Sequence, residues 1–267
     1  MNRSTIGRRY GLIPSLPSPH YDKYTHYLTD SSLPPKVDAL QEHLPPVIDQ
    51  MQVGMCTGCG TSRALKTLLN SVDYKWAFTP SALDIYAKVR TFEGTALTDD
   101  SGASIADVMT VINQQGVAPE DSNTEWSWPF SASDDRWQQQ PPEACEKDAG
   151  LHKLVKFSKV PQDINSIKTA LLNGHPVVIG ISVFQSFESA EVAKTGVIPM
   201  PGWPILDKLL GGHCLFLWGY GNYDATHADG RNSWGKSWGA NGDFHIPFAY
   251  LTNPNLCSDL WSLEVIE

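Results

Sequence analysis

The sequence predicts an α+β protein of two lobes, a mainly helical first half followed by a mainly β second half. Amphipathic strings of helical period begin at residue 56, and short apolar runs of β type follow Pro176. No internal repeat or low-complexity tract interrupts either half. At 267 residues the chain can bury a substantial core, as one large domain or two fused lobes. Its 41 % hydrophobic and 18 % charged residues belong to a folded protein, not a disordered one.

Residues 1–35 are rich in Pro, Ser and Tyr and carry no helical period, so they read as an extended arm laid over a surface, or as partly disordered. "CTGCGTSRALKTLLN" reads as a helix from Cys56 to about Asn70, entered through a glycine-rich turn despite the early Gly58 and Gly60. "TPSALDIYAKVRTFEG" has a Thr-Pro start and apolar Leu83, Ile85, Tyr86 and Val89, which gives a second helix. "SIADVMTVINQQGV" is a third, stopped at Gly116. "DINSIKTALLNGHP" is a fourth, stopped at Gly174 with Pro176 beyond. "PVVIGISVF" and "HCLFLWGYG" are then strands of a sheet or barrel.

Charge and composition exclude several function classes. There are 29 Asp+Glu against 20 Lys+Arg and no basic run, which disfavours nucleic-acid binding through the phosphate backbone. No apolar run approaches the length of a membrane span. The N-terminus lacks the apolar core of a secretory signal, so the expected location is cytoplasmic, with signal-independent export open. Five scattered cysteines, Cys56, Cys59, Cys145, Cys214 and Cys257, do not form a disulfide framework.

The stretch "DQMQVGMCTGCGTSRAL" holds Cys56 and Cys59 where polar loop gives way to helix. As a zinc half-site they lack a second pair, and as a redox pair they lack a preceding βαβ unit. Two inert core thiols remain an alternative. A nucleophilic cysteine needs a stabilised thiolate, which a helix N-terminus and a nearby imidazolium both provide. Cys56 stands at the helix entrance; Cys59 lies nearly a full turn further in, where the dipole effect has largely faded. A base must also be present. His213 opens "HCLFLWGYG" behind two glycines, and "RNSWGKSWG" follows. Taken singly, these are a strand-end histidine and an aromatic turn; their order after Cys56 points to one site.

In that combination the sequence resembles the papain-like cysteine peptidases, over nearly the whole chain from about Pro34. Gln50 precedes Cys56 by six residues, His213 comes late, and Asn232 to Gly235 spell "NSWG". Choosing Cys59 instead would leave Val53 where the family has its Gln. "DQMQVGMCT" is similar to the form found in bacterial, archaeal and viral members, with Cys59 as a packed helix thiol. "DDSGASIADVM" is similar to the glycine segment that pairs with the substrate backbone, so the resemblance places Gly102 and Ala103 in the cleft, with Cys214 as a further pocket candidate. "NPNLCSDLWSLEVI" resembles the closing strand.

The resemblance implies a papain-like two-lobe fold with the cleft between a helical and a β-barrel-like lobe. It implies an arm over residues 1–35 and a peptidase domain over 36–267, divided into a helical lobe of about 50–150 and a β lobe of about 151–267. The implied activity is endopeptidase cleavage by a Cys56 thiolate and His213 imidazolium. Asn232 would orient the imidazole, while Gln50 and the Cys56 N–H would hold the oxyanion. No cofactor, metal, nucleic acid or membrane is implied; the partner is a peptide or protein substrate, and the chain is expected to be a monomer. A cleft-keeping pseudoenzyme that binds peptide or protein, and an exopeptidase of the same fold, are the alternatives. Three departures stand out. The string before Asn232, "YDATHADGR", is polar and broken by Gly230, which predicts a loop or a distorted strand. Met55 stands where Ser is common. The arm is too short for the family's usual inhibitory propeptide, and reads either as a strap on the β lobe or as a segment reaching across the cleft.

Overall fold

The amphipathic strings fold as helices in the computed structural model of the chain, which describes residues 7–25, 33–72, 78–120, 130–131, 133–153, 155–202 and 207–265. In chain order β1 (Leu12–Ile13) precedes α1 (Cys56–Ser71), α2 (Ala82–Phe92), β2 (Ala103–Ser104), α3 (Ile105–Gln115) and α4 (Glu143–Ala149). Side chains set the helix starts. Ser81 accepts the Asp84 N–H and caps α2, two residues later than the Thr-Pro pair suggests. Ser104 does the same for α3 from Asp107, and Gly116 ends it in a left-handed conformation, φ 76°.

The second half supplies β3 (Val155–Lys159), α5 (Ile164–Leu172), β4 (Val177–Phe184), α6 (Ala190–Thr195), β5 (Leu209–Tyr220), β6 (His227–Arg231), β7 (Asp243–Pro247), α7 (Phe248–Leu251) and β8 (Cys257–Val265). Six of these strands form one sheet in the order β3-β8-β4-β5-β6-β7, every neighbouring pair antiparallel. Its central strands β4 and β5 are mostly apolar because both faces are buried over most of their length. Cys214, Phe216 and Trp218 of β5 join the core of the helical lobe, while Leu215 and Leu217 join a second core within the β lobe. α1 lies against β5, and its early glycines are the contact points. A side chain at Gly60 would stand 3.1 Å from Cys214 Sγ, and one at Gly58 would stand 2.5 Å from the Ala82 carbonyl oxygen of α2.

The polar string before Asn232 folds as strand β6, with a register irregularity against β5 at Leu217–Gly219. Its polar residues are satisfied from elsewhere in the lobe. Buried Asp229 shares a hydrogen bond with His245 Nδ1 at 2.5 Å and accepts two from Asn222, at 3.0 and 2.8 Å. Arg231 pairs with Asp243 of β7 at 2.7 and 3.0 Å. A polar strand is tolerated when each group that leaves water finds a partner.

The N-terminal arm is extended over residues 7–25, and residues 1–6 and 26–32 lie outside the described residues. Its β1 runs parallel to β2. Further on, Lys159 N–H donates to the Asp22 carbonyl and Tyr24 N–H to the Lys159 carbonyl, at 2.7 and 3.0 Å, which straps the arm to the open edge of β3. Among the described residues no helix is long and apolar enough to cross a membrane.

Asp229 gives this lobe a test. Asp229→Ala leaves the donors of Asn222 and the His245 ring without their buried acceptor and should lower stability by about 3–5 kcal/mol. Urea unfolding of the two proteins measures the difference; a loss below about 1 kcal/mol would mean that β6 does not depend on this carboxylate.

Candidate active site

Cys56 is the first residue of α1 and is buried. The segment before it is zipped to the segment after β6. Gly235 N–H donates to the Ile48 carbonyl and Gln50 N–H to the Ser233 carbonyl, both at 2.9 Å. Gln50 is fixed further by its side chain: Nε2 donates to the Val53 carbonyl at 2.9 Å, and Oε1 accepts from Ser233 Oγ at 2.5 Å. One of the two Nε2 protons is thereby used and the other is left for a ligand. Met55, bulkier than the family's usual Ser, is fully buried in the helical-lobe core.

His213 lies on β5 and Asn232 directly follows β6, so the sheet itself sets their spacing. His213 Nε2 is 2.9 Å from Asn232 Oδ1. The Trp234 ring stacks on the imidazole with centroids 4.9 Å apart, and Trp238 meets Trp234 edge-on at 5.5 Å. Aromatic cover of this kind keeps water from the His213–Asn232 bond, where a hydrogen bond is worth more. His213 Nδ1 is buried with no hydrogen-bond partner among the described residues, so one ring nitrogen is committed to Asn232 and the other is left as the proton-accepting position. The thiol of Cys56 and the imidazole are not hydrogen-bonded to each other.

The arm lies against both, Gly11 beside Cys56 and Tyr10 beside His213. The backbone of Cys214, Gly11, Thr57 and Cys56 itself lies near the Cys56 thiol and favours its thiolate. Gly11 comes from the arm, and its carbonyl accepts from Ala103 N–H at 2.8 Å. A Cβ on Gly11 would fall 1.7 Å from the Gly54 carbonyl oxygen, so no other residue fits there. Gly102 stands equally close, with φ 75° and its missing Cβ 2.1 Å from the Gly11 carbonyl oxygen. On one side of Gly11, Leu12 pairs with Ala103 and lies against Gly180 and Gly212. On the other, Tyr10 meets the His213 ring edge-on at 6.1 Å and hydrogen-bonds Glu188. Arg9 pairs with Asp100 at 3.1 Å, and Arg8 with Asp49 at 2.8 Å while lying 5.2 Å from the Trp234 ring centre.

The wall that carries Asp100, Gly102 and Ala103 is shaped from behind by Arg90. This buried guanidinium donates to the carbonyls of Leu97 and Asp99 at 2.7 and 2.8 Å, and also to that of Trp137. Asp100 in turn accepts the Gly54 N–H at 2.9 Å and the Tyr86 hydroxyl at 2.7 Å. Cys214, a pocket candidate by sequence, turns its thiol toward Gly60 of α1 and presents its backbone to the Cys56 thiol.

Burial of the site disfavours the charged forms of both Cys56 and His213. It pushes the Cys56 thiol up to about 11, against the opposing backbone contacts. Burial also lowers His213 to about 4, with the Asn232 bond opposing and the Arg8 charge adding to the fall. All five cysteines are buried and none is in a disulfide, and Cys59 sits within α1. Among the described residues no group of three or more His, Cys, Asp or Glu is arranged to hold a metal.

Gln50, Cys56, His213 and Asn232 thus meet at one place, with Gly102 and Ala103 beside them. Sequence reasoning missed Ser233, which locks Gln50, and the carboxylates Asp49, Asp100 and Glu188, which hold the arm. The available signal was the arm's own "RRYGLI", two cations and an aromatic ahead of a glycine.

Comparison with known proteins agrees with this geometry. The profile of the papain family cysteine proteases matches residues 33–257. The whole chain is 32 % identical, over 290 aligned positions, to an uncharacterized peptidase C1-like protein of Acanthamoeba polyphaga mimivirus, covering 90 % of it. It is similar to the crystal structure of xylellain, a cysteine protease from Xylella fastidiosa, with a TM-score of 0.83, 33 % identity, and 97 % and 96 % of the two chains covered. Digestive procathepsin L 3 from the larval midgut of Tenebrio molitor shares the fold at 17 % identity and a TM-score of 0.67, with 98 % and 77 % covered. The chain belongs to the papain family of cysteine proteases.

Proposed function

We propose that this cysteine peptidase cuts within extended polypeptides, with Cys56 as nucleophile and His213 as acid and base, and that its N-terminal arm keeps it closed until displaced. The observation that carries the reading is the course of the arm through the cleft: Tyr10 meets the His213 ring edge-on and the Gly11 carbonyl accepts from Ala103 N–H. The arm runs beside the nucleophile, and that Ala103 bond is 2.8 Å long. Because the arm continues on both sides of the thiol, the trench is open at both ends, as cleavage within a chain requires.

Once the arm leaves, water and the helix N-terminus lower the thiol pKa and the imidazole regains its proton. The thiolate attacks the scissile carbonyl carbon, and the second Nε2 proton of Gln50 with the Cys56 N–H holds the oxyanion. His213 Nδ1 gives its proton to the leaving amine as the C–N bond breaks, then takes one from the water that hydrolyses the thioester. Asn232 keeps the ring in plane through Nε2.

Gly11→Ala has no room to dock and should open the cleft. Mapping the adduct of an epoxide inhibitor by mass spectrometry should place it on Cys56, with labelling at neutral pH about tenfold or more faster than in the unaltered chain. Equal rates would remove the arm's role, and an adduct on Cys59 would move the nucleophile.

The pH dependence has a definite sign. Closure lowers His213 below its ordinary 6.5 and raises Cys56 above its ordinary 9.0. The open form therefore takes up the imidazole proton as pH falls from 6.5 toward about 4, and releases the thiol proton as pH rises from 9.0 toward about 11. Closure is tightest between these ranges, so labelling of the unaltered chain should pass through a minimum near neutral pH that Gly11→Ala lacks. In that opened chain, Gln50→Ala should lower turnover by about 10²–10³, measured on any cleaved peptide.

A further inference from the structure

One peptide unit beside the nucleophile is held at both ends. Its carbonyl, that of Val53, accepts from Gln50 Nε2 at 2.9 Å. Its N–H, that of Gly54, donates to the Asp100 carboxylate, 3.0 Å from Oδ1 and 2.9 Å from Oδ2. Glycine permits this approach, since a Cβ at position 54 would lie 3.1 Å from Asp100 Oδ1. Asp100 Oδ1 also accepts the Tyr86 hydroxyl at 2.7 Å, and that hydroxyl in turn accepts the Gly102 N–H at 3.1 Å. Tyr86 is fully buried, with the Arg90 guanidinium 4.0 Å from its ring centre. Burial and the Asp100 charge raise Tyr86 above its ordinary 10.0, so the hydroxyl keeps the proton that it donates. The polar contacts thus run without a break from Gln50 to Gly102. Every donor and acceptor in that run belongs to residues 50–102, and the arm meets it from outside, through Arg9 at Asp100 Oδ2.

We infer that Asp100 is a positioning residue for the oxyanion site: through the 53–54 peptide it fixes the Gln50 amide, and through Tyr86 it fixes the backbone of Gly102. The inference rests on the peptidase reading above and adds to it a residue that acts only through others. Gln50 Nε2 carries two protons, and the bond of one to the Val53 carbonyl sets the direction of the other. A carboxylate at the N–H end polarises that peptide and strengthens its carbonyl as an acceptor. Without Asp100 the 53–54 unit can turn, and only Ser233 is left to hold the Gln50 side chain, at Oε1. The amide then keeps its chemistry and loses its aim, which weakens the oxyanion donor where charge develops. The Tyr86 branch acts elsewhere. It holds the wall read as pairing with the substrate backbone, so its loss falls on binding.

The full chain opened by Gly11→Ala is the reference, with Arg8→Ala/Arg9→Ala as a second way to open it should the first fail to fold. Two readouts are compared on each variant: kcat and KM for a peptide substrate, and alkylation of Cys56 by iodoacetamide, which needs the thiolate but forms no oxyanion. Asp100→Ala should lower kcat about 10- to 100-fold while changing alkylation by less than about threefold. Asp100→Asn, whose side-chain oxygen can still accept from Gly54 and Tyr86, should recover most of the loss. With Gln50→Ala already present, Asp100→Ala should lower turnover by less than about threefold more, because the group that it positions is gone. Tyr86→Phe keeps the Gly54 bond and releases the Gly102 N–H, so KM should rise with kcat nearly unchanged. Asp100→Leu, similar in volume and without an acceptor, replaces Asp100→Ala if that chain does not fold. Unchanged kcat, an equal fall in alkylation, no recovery by Asn, a full additional loss beside Gln50→Ala, or a Tyr86→Phe effect on kcat alone would overturn the inference and leave the peptidase reading intact. An opened chain that neither cleaves peptide nor alkylates at Cys56 sinks the peptidase reading, and the inference with it.

Discussion

The short backbone zip between residues 48–50 and 233–235 sets the frame on which the rest of the site depends. Two 2.9 Å hydrogen bonds, closed by the Ser233–Gln50 contact, join the entrance of α1 to the exit of β6. Cys56 belongs to one lobe and His213 and Asn232 to the other, with most of the chain between them. A catalytic group misplaced by about 1 Å can lose roughly 10²-fold in rate. The zip removes that freedom, because Gln50 and Asn232 are held to consecutive parts of the same ladder.

The arm uses this rigid frame as a docking surface. Its backbone pairs with Ala103, its glycine passes where no side chain fits, and its polar side chains reach carboxylates on both lobes. Surface ion pairs contribute little by themselves. Asp100, however, is almost wholly enclosed and also organises Gly54 and Tyr86, so the Arg9 contact is tied to the shape of the cleft wall. Burial disfavours both the thiolate and the imidazolium, and the arm is one of the segments that cover the site.

Much of this was legible in the sequence, for reasons that can be stated. α1, α2, α3 and α5 carry a 3.6-residue period and their own stops, and the order of Gln50, Cys56, His213 and Asn232 identifies the site. What escaped reading depends on distant partners. β6 reads as a loop or a distorted strand, and what makes it a strand, the pairing of Asp229 and Arg231 with His245 and Asp243, lies 16 and 12 residues away. β5 begins at Leu209, four residues before the apolar run, because Gly211 and Gly212 lie under Tyr10 and Leu12 of the arm. Asp49, Asp100 and Glu188 are ordinary loop acids until partners 41, 91 and 178 residues away in sequence fold onto them.

Residues 8–15 lie in the cleft and 22–24 on the edge of β3, and between these two anchors Leu16, Pro17, Pro19 and His20 are exposed. The connection makes the arm an intramolecular ligand, present at an effective concentration of the order of millimolar however dilute the protein is. Hydrolysis of one peptide bond in that exposed span would leave every contact of the arm intact. It would nevertheless turn closure from a first-order event into an association governed by dilution. In a dilute solution the severed segment would leave and not return, and the loss of a covalent connection far from the thiol would be felt there as mass action.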